Sequence, residues 1–372
     1  MIVKNEEKDI ERCLNSVKDH IDYWVIFDTG SSDKTMDIIQ SFMGAHKIPG
    51  ELHESEWKDF STNRNEVLRV ADMLADFTLC MDADDYLKTR GKIHDMIGNS
   101  HHVYHATFTM NNTMSFDRPF LFKNKCGIRY KGVLHEVLTV PESFEAKHAK
   151  LSAVVIHANS SPTKRADTAQ EKYKNDAEIL LKEHKKNPDD TRTLFYLAQS
   201  YRDAGMHDES IEYYKKRIEL GGWGEEVYVS KLMLANNHAK KGSSDKLVVD
   251  LLLEAWEFRP YRLEAIHSAV AYYRNKESYR TAYALSAAAM GYYSQFGGKD
   301  KLFVSSDIEN WRMMDEYCIN AFYSGEYQVA YVNTKILMDS SQWSTVPEND
   351  QERIKKNMED YEKYYIERNK ES

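Results

Sequence analysis

The sequence predicts an α/β domain built on a mostly parallel sheet, followed by an all-α half made of helical repeats. Two observations carry this. Up to about residue 160, short apolar runs alternate with amphipathic stretches, the grammar of strand–helix–strand units. From about Ala166 onward nearly everything has helical periodicity, and part of it recurs. The polar stretch SSPTKRADT (160–168), which holds Pro162, reads as the joint, so domains are expected over 1–165 and 166–372.

In chain order, Met1–Val3 is a first short strand and Glu6–Val17 a helix. YWVIFDTG (23–30) is the second strand, with a helix opening near Ser32 or Asp33. A strand follows around Glu51–Glu54, then a helix over Ser61–Leu74, and FTLCM (77–81) closes the series as a buried strand. After Asp85 the pattern changes. VYHATFTM (103–110), RPFLFKN (118–124) and LSAVVIHA (151–158) are strands with no long helix between them, which suits a mixed or antiparallel extension. In the second half, TLFYLAQSYRDAG (193–205) carries Leu194, Leu197, Ala198 and Tyr201 at helical spacing, and Glu209–Ile218 carries Ile211, Tyr214 and Ile218 on one face. YRLEAIHSAVAYYRN (261–275) restates the first of these, and Pro188 and Pro260 are separated by close to two periods of a roughly 34-residue repeat.

Composition bounds the function. With 372 residues, 42% hydrophobic and 12% aromatic, the chain can bury a core in each domain. The formal net charge of −9 argues against sequence-independent binding to nucleic acid, which needs a cationic face. Cys13, Cys80, Cys126 and Cys318 are scattered, with no CxxC pair, so neither a zinc site nor a disulfide framework is expected. There is no run of 18 apolar residues and no signal-like start, so the expectation is a soluble, cytoplasmic protein.

The chemistry-bearing residues sit at strand ends. DTGSSDKT (28–35) ends the second strand, where Asp28 can accept from a ligand's N–H or hydroxyl and Gly30 permits a close turn. NRNE (63–66) puts Arg64 near a helix start, where the dipole disfavours a cation, so an anionic or carbonyl-bearing ligand nearby is expected. FTLCMDADDY (77–86) runs an apolar strand into Asp82, Asp84 and Asp85. Such a cluster can hold a hard divalent cation, and the alternative is an acidic turn capping a following helix. YKGVLHEVL (130–138) sets His135 beside Glu136, and VVIHAN (154–159) ends a strand at His157.

Taken together, MIVKNEE, FDTGSSDKT, NRNE, MDADD, YKGVLHE and VIHAN resemble, in order and spacing, the family 2 glycosyltransferases with the GT-A fold. YLAQSY and GGWGEEV (221–227) resemble tetratricopeptide-like repeats attached to some members. The resemblance implies that the backbone near Val3, with Asp28 and Arg64, holds the nucleobase. It implies Asp82 at the ribose or metal shell, Asp84 and His157 as ligands of Mn²⁺ or Mg²⁺, and Glu136 as the base, with His135 beside it. It further implies inverting transfer from a nucleotide sugar, such as UDP-glucose or UDP-N-acetylglucosamine, to a hydroxyl of a protein or glycan. The repeats are then a surface for the acceptor or for homo-oligomer formation. A catalytically inactive scaffold whose repeats bind a protein is the rival reading, and a nucleotidyltransferase lacks its glycine-rich phosphate loop here.

Overall fold

Strand β1 (Ile2–Val3) is only two residues long and lies parallel to β2 (Trp24–Asp28), which is parallel in turn to β3 (Gly50–Glu54). Helix α1 (Ile10–Val17) connects the first two strands and α2 (Thr35–His46) the next two, as parallel pairing requires a crossover connection. In α1, Ile10, Cys13, Leu14 and Val17 share one face at i, i+3, i+4 and i+7, and all four are buried. Ile10 and Leu14 meet Val3, Ile26, Ile39 and Met43 in one core, while Cys13 and Val17 pack into another beside Met81 and Phe120.

Helix α3 (Phe60–Leu74) then leads to β4 (Phe77–Leu79). The remaining strands are β5 (Tyr86–Thr89), β6 (Val103–Met110), β7 (Met114–Lys123), β8 (Arg129–Lys131), β9 (Val137–Thr139) and β10 (His148–Ala158). A five-stranded mixed sheet has the order β4-β7-β6-β10-β5, and β8 with β9 forms a separate hairpin. The expected alternation is present, but the parallel sheet is confined to β1, β2 and β3, and β4 does not join it. β4 is instead paired antiparallel with β7, Phe77 opposite Lys123 and Leu79 opposite Leu121.

This computed structural model describes residues 1–110, 114–158 and 168–371. The chain divides into two units, Met1–Glu183 and His184–Ser372, with the division inside α4 (Ala169–Lys186). The joint expected at 160–168 lies, apart from Thr168, outside the described residues.

The second unit is a succession of helices: α5 (Thr191–Asp203), α6 (His207–Leu220), α7 (Gly224–Lys240), α8 (Asp245–Phe258) and α9 (Glu264–Asn275). It continues with α10 (Tyr279–Phe296), α11 (Met313–Tyr323), α12 (Tyr327–Asp339) and α13 (Glu348–Glu371). Each packs on its sequence neighbour, as short connections dictate. Asp190 caps α5, its Oδ1 accepting from Arg192 N at 3.1 Å and Thr193 N at 3.3 Å. The cysteines are free thiols, with Cys13 and Cys318 buried and Cys80 and Cys126 partly exposed.

Candidate functional site

The candidate residues gather where strands of the first unit end. After β2, Gly30 takes a φ of 101°, which a side chain would resist. The turn lets Asp28 Oδ2 accept from Gly30 N at 2.9 Å and Ser31 N at 2.8 Å. Asp28 is 2% exposed, and its Oδ1 has no hydrogen-bond partner among the described residues. A buried carboxylate oxygen left this way is costly, and a ligand N–H would satisfy it. The loops after β1 and β2 are stitched together: Asn5 N donates to Ser31 Oγ at 2.9 Å, and Glu6 N to Thr35 Oγ1 at 2.7 Å. The Val3 carbonyl accepts from Thr29 N at 2.9 Å and Thr29 Oγ1 at 3.0 Å, so a ligand would have to share it.

Arg64 is the hub. Asp59 caps α3, accepting from Thr62 N at 2.7 Å, and the next turn presents Asn63 and Arg64 on the buried face. Asn63 is wholly buried and ties down the preceding loop through Lys58 N and the Glu56 carbonyl. Arg64, 8% exposed, donates from Nη2 to Asp82 Oδ1 at 2.5 Å. Its Nε pairs with Glu136 Oε1 at 2.9 Å, and its guanidinium lies 5.4 Å from the centre of the Tyr130 ring. Where a ligand was expected beside Arg64, the structure places two carboxylates of the chain itself. Burial works against the charge on Arg64, but Asp82, Tyr130 and Glu136 overcome it and hold the guanidinium protonated. Asp82 shows the converse. Burial would raise its pKa, yet Arg64 and Arg118 bring it down to about 2.

The acidic run does not cap a helix. Strand β5 follows Asp85 at once, and within it Tyr86 pairs in register with His157 of β10. The two rings stack at 4.6 Å and 8°, which sets His157 beside the segment that carries Asp84. His157 Nδ1 is bonded to Thr109 Oγ1 at 3.0 Å, while burial and Lys88 lower its pKa and favour the neutral ring. Arg12 Nη2 donates to the Asp84 carbonyl at 2.7 Å and fixes the turn. Among the described residues no group of three or more His, Cys, Asp or Glu side chains is assembled for a metal. Asp84 and His157, the pair named from the sequence, would leave most of a Mg²⁺ or Mn²⁺ shell to substrate oxygens and water.

Glu136 arrives from the turn between β8 and β9. Gly132 has a φ of 109°, and a Cβ there would come within 3.3 Å of the Leu134 carbonyl oxygen. His135, exposed, holds a left-handed φ of 52°, a conformation that side-chain-bearing residues seldom adopt. This kinked turn delivers Glu136 to Arg64. Asn65 anchors the hairpin by bonding both N and O of Tyr130, each at 2.8 Å. The sequence reading missed Tyr130, Arg118, Arg12 and Thr109. Arg118 Nη2 stands 3.7 Å from Asp82 Oδ2. Both it and Tyr130 fall inside stretches quoted above, but nothing local marks them as neighbours of the acidic run.

Comparison with known proteins bears on the two halves of the chain. Residues 1–121 match the model of Glycosyl transferase family 2. The first unit is thus family 2-like, a mixed sheet flanked by helices in the GT-A manner, and the second is like a tetratricopeptide-repeat region. The chain is 26% identical over 235 residues to the SPbeta prophage-derived glycosyltransferase SunS of Bacillus subtilis, covering 59% of this chain and 52% of SunS. It is 30% identical over 146 residues to a TPR repeat-containing protein of Synechococcus elongatus, covering 37% of this chain and 34% of that protein. The chain therefore spans about half or less of the length of these curated relatives. Among solved structures, MamA overlaps 50% of this chain and 98% of its own at 16% identity and a TM-score of 0.35. Among the described residues no helix is long and apolar enough to cross a membrane.

Proposed function

We propose that the first unit is an inverting glycosyltransferase, moving a sugar from a nucleotide sugar to a hydroxyl of a protein or glycan. The observation that carries this reading is the joining of Asp82 and Glu136, distant in sequence, on the single guanidinium of Arg64. Around that hub, the orphaned Oδ1 of Asp28 is suited to a nucleobase N–H, as the uracil of a UDP-sugar would provide. The backbone at Val3 adjoins the Asp28 turn through the bonds of Thr29 to its carbonyl. Asp84 and His157 would hold a divalent cation, which when bound neutralises charge on the departing diphosphate. Glu136 takes the proton of the acceptor hydroxyl as its oxygen bonds to the anomeric carbon, and the bond to the diphosphate breaks on the opposite face. His135 is the neighbouring candidate for that proton. Arg64 and Arg118 keep Asp82 ionised and give the pocket positive charge beside the leaving group.

The helical unit, in this reading, supplies acceptor contacts or self-association. The chain boundary of the catalytic domain is placed near residue 165, and the setting is cytoplasmic. Thermal melting with UDP, Mn²⁺, both or neither tests the proposal. The expected result is a rise in midpoint only when both are present, lost in Asp84→Asn. An unchanged midpoint at millimolar UDP and Mn²⁺ would favour an inactive scaffold whose helices bind a protein partner.

A further inference from the structure

From α5 to α10 each helix hands over to the next within three to five residues. The connection after α10 is different. Residues 297–307 separate Phe296 from the π-helical turn Ile308–Arg312 that leads into α11, a longer link than packed helices usually need. This segment lies as a strap across α5, α7 and α9. Its Phe303 ring stacks on Phe195 of α5 at 6.2 Å and 18°. Glu225, in the first turn of α7, accepts from Lys301 N and Leu302 N on one oxygen, each at 2.7 Å. Ser305 N donates to Glu264 Oε1 of α9 at 3.1 Å.

Two arginines hold the strap from the α8–α9 connection. Arg259 Nε donates to Asp300 Oδ2 at 2.7 Å, with Arg262 Nη1 at 3.4 Å from the same oxygen. Arg262 also donates to the Leu302 carbonyl at 3.2 Å from each of its terminal nitrogens. The receiving groups are fixed by one another. Arg262 bonds Glu264 at 2.9 and 3.0 Å and lies 4.7 Å from the centre of the Tyr228 ring, whose hydroxyl donates to Glu264 at 3.2 Å. Most of what they read in the strap is backbone, which any segment offers. Only the Asp300 carboxylate and the Phe303 ring add selectivity. Phe303 makes its contact with a left-handed φ of 49° and stays 49% exposed, so the strap occupies this face at a conformational cost.

We propose that this face docks a segment of a partner protein that carries a carboxylate three positions before an aromatic ring, and that residues 299–305 hold it closed as a tethered copy of that segment. The guanidiniums of Arg259 and Arg262 take the carboxylate, Phe195 takes the ring, and Glu225 and Glu264 take backbone N–H groups. A tethered occupant competes at an effective concentration on the order of millimolar, so a free segment enters once the strap is released. The inference concerns the helical unit alone and holds whether or not the first unit transfers sugar.

The test uses the full chain and a fluorescein-labelled peptide with the sequence of residues 298–306, GKDKLFVSS. In a variant with residues 300–304 replaced by Gly and Ser, fluorescence anisotropy is expected to show saturable binding, about tenfold or more tighter than to the parent chain. Peptides carrying Asp300→Asn or Phe303→Ala should each bind that variant about tenfold more weakly. Should circular dichroism show the Gly/Ser variant unfolded, Phe303→Ala in the chain, which keeps the loop length and its charges, replaces it with the same expectations. Absence of binding to the folded variant, or equal binding of the three peptides, would overturn the proposal. So would equal affinity for the parent and the opened chain, since the peptide would then sit elsewhere.

Discussion

Asp82 lies between two guanidiniums, and its acid titration follows from that. Its pKa in the folded chain is about 2, below the roughly 3.9 of an unfolded aspartate. The stabilisation is therefore complete above about pH 4 and is lost as the pH falls through 2. Asp82→Asn should lower stability by about 1–2 kcal/mol at pH 5, after allowance for its solvent-facing side, and the gap to the parent should close near pH 2. Urea midpoints of both proteins at pH 5, 3 and 2 measure this, and a constant gap would contradict it. At Glu136, replacement by Gln keeps the shape but not the proton acceptor. Transfer should fall by about 10²–10⁴-fold while nucleotide binding persists, as read by turnover at saturating acceptor and by calorimetric titration. The positions of Asp28 and His157 near strand ends and of Asp84 in the turn before β5 were legible from where apolar runs stop. The Arg64 hub was not, because its two carboxylates come from separate loops and a pairing across a fold leaves no local trace. Val3 also differs from expectation in one respect, its carbonyl being engaged by Thr29.

Among the elements, long periodic segments were read well and short ones poorly. Helix α3 was expected over Ser61–Leu74 and spans Phe60–Leu74, and the expected Glu6–Val17 helix begins only at Ile10, after a turn closed by Ile10 N on the Glu6 carbonyl. Strand β5 was missed, since four residues of mixed polarity carry no period and only pairing with β10 makes them a strand. Among the tyrosines of the helical unit, Tyr196, Tyr201 and Tyr214 are buried. Tyr213, Tyr272 and Tyr273 are partly covered, with Tyr213 stacked on Tyr201 at 5.5 Å. Adjacent tyrosines do diverge around the helix, but neighbouring helices cover both directions. The α6–α7 connection gives an element-scale prediction. Arg217 is fully buried and pairs with Glu226 at 2.9 Å across the Gly221–Gly222 turn. Arg217→Met should destabilise the helical unit by about 3–5 kcal/mol, because it leaves the Glu226 carboxylate buried with only Arg192, 3.6 Å away, as a cation. Adding Glu226→Leu should recover most of that loss in urea titration, and failure to recover would assign the cost to packing.

For the whole molecule, each unit has its own hydrophobic clusters, so unfolding should proceed in two transitions. In differential scanning calorimetry UDP with Mn²⁺ should shift only one of them, and a single transition moving as a block would contradict the division. The general plan, a sheet-based half before a helical half, was legible because periods of two and 3.6 are long-range regularities of the sequence. The split in the sheet was not, since it rests on β4 pairing with β7, a contact between segments far apart in the chain. One consequence of the thiol distribution remains. Burial raises the pKa of Cys13 and brings that of Cys318 up to about 12, and each sits in a different unit. Thiolate is the reactive form, so both are silent toward alkylating reagents until their surroundings open. The chain thus carries two built-in clocks: pulsed alkylation, resolved by mass spectrometry of the Cys13 and Cys318 peptides, reads the opening rate of each half in one tube, without an added label.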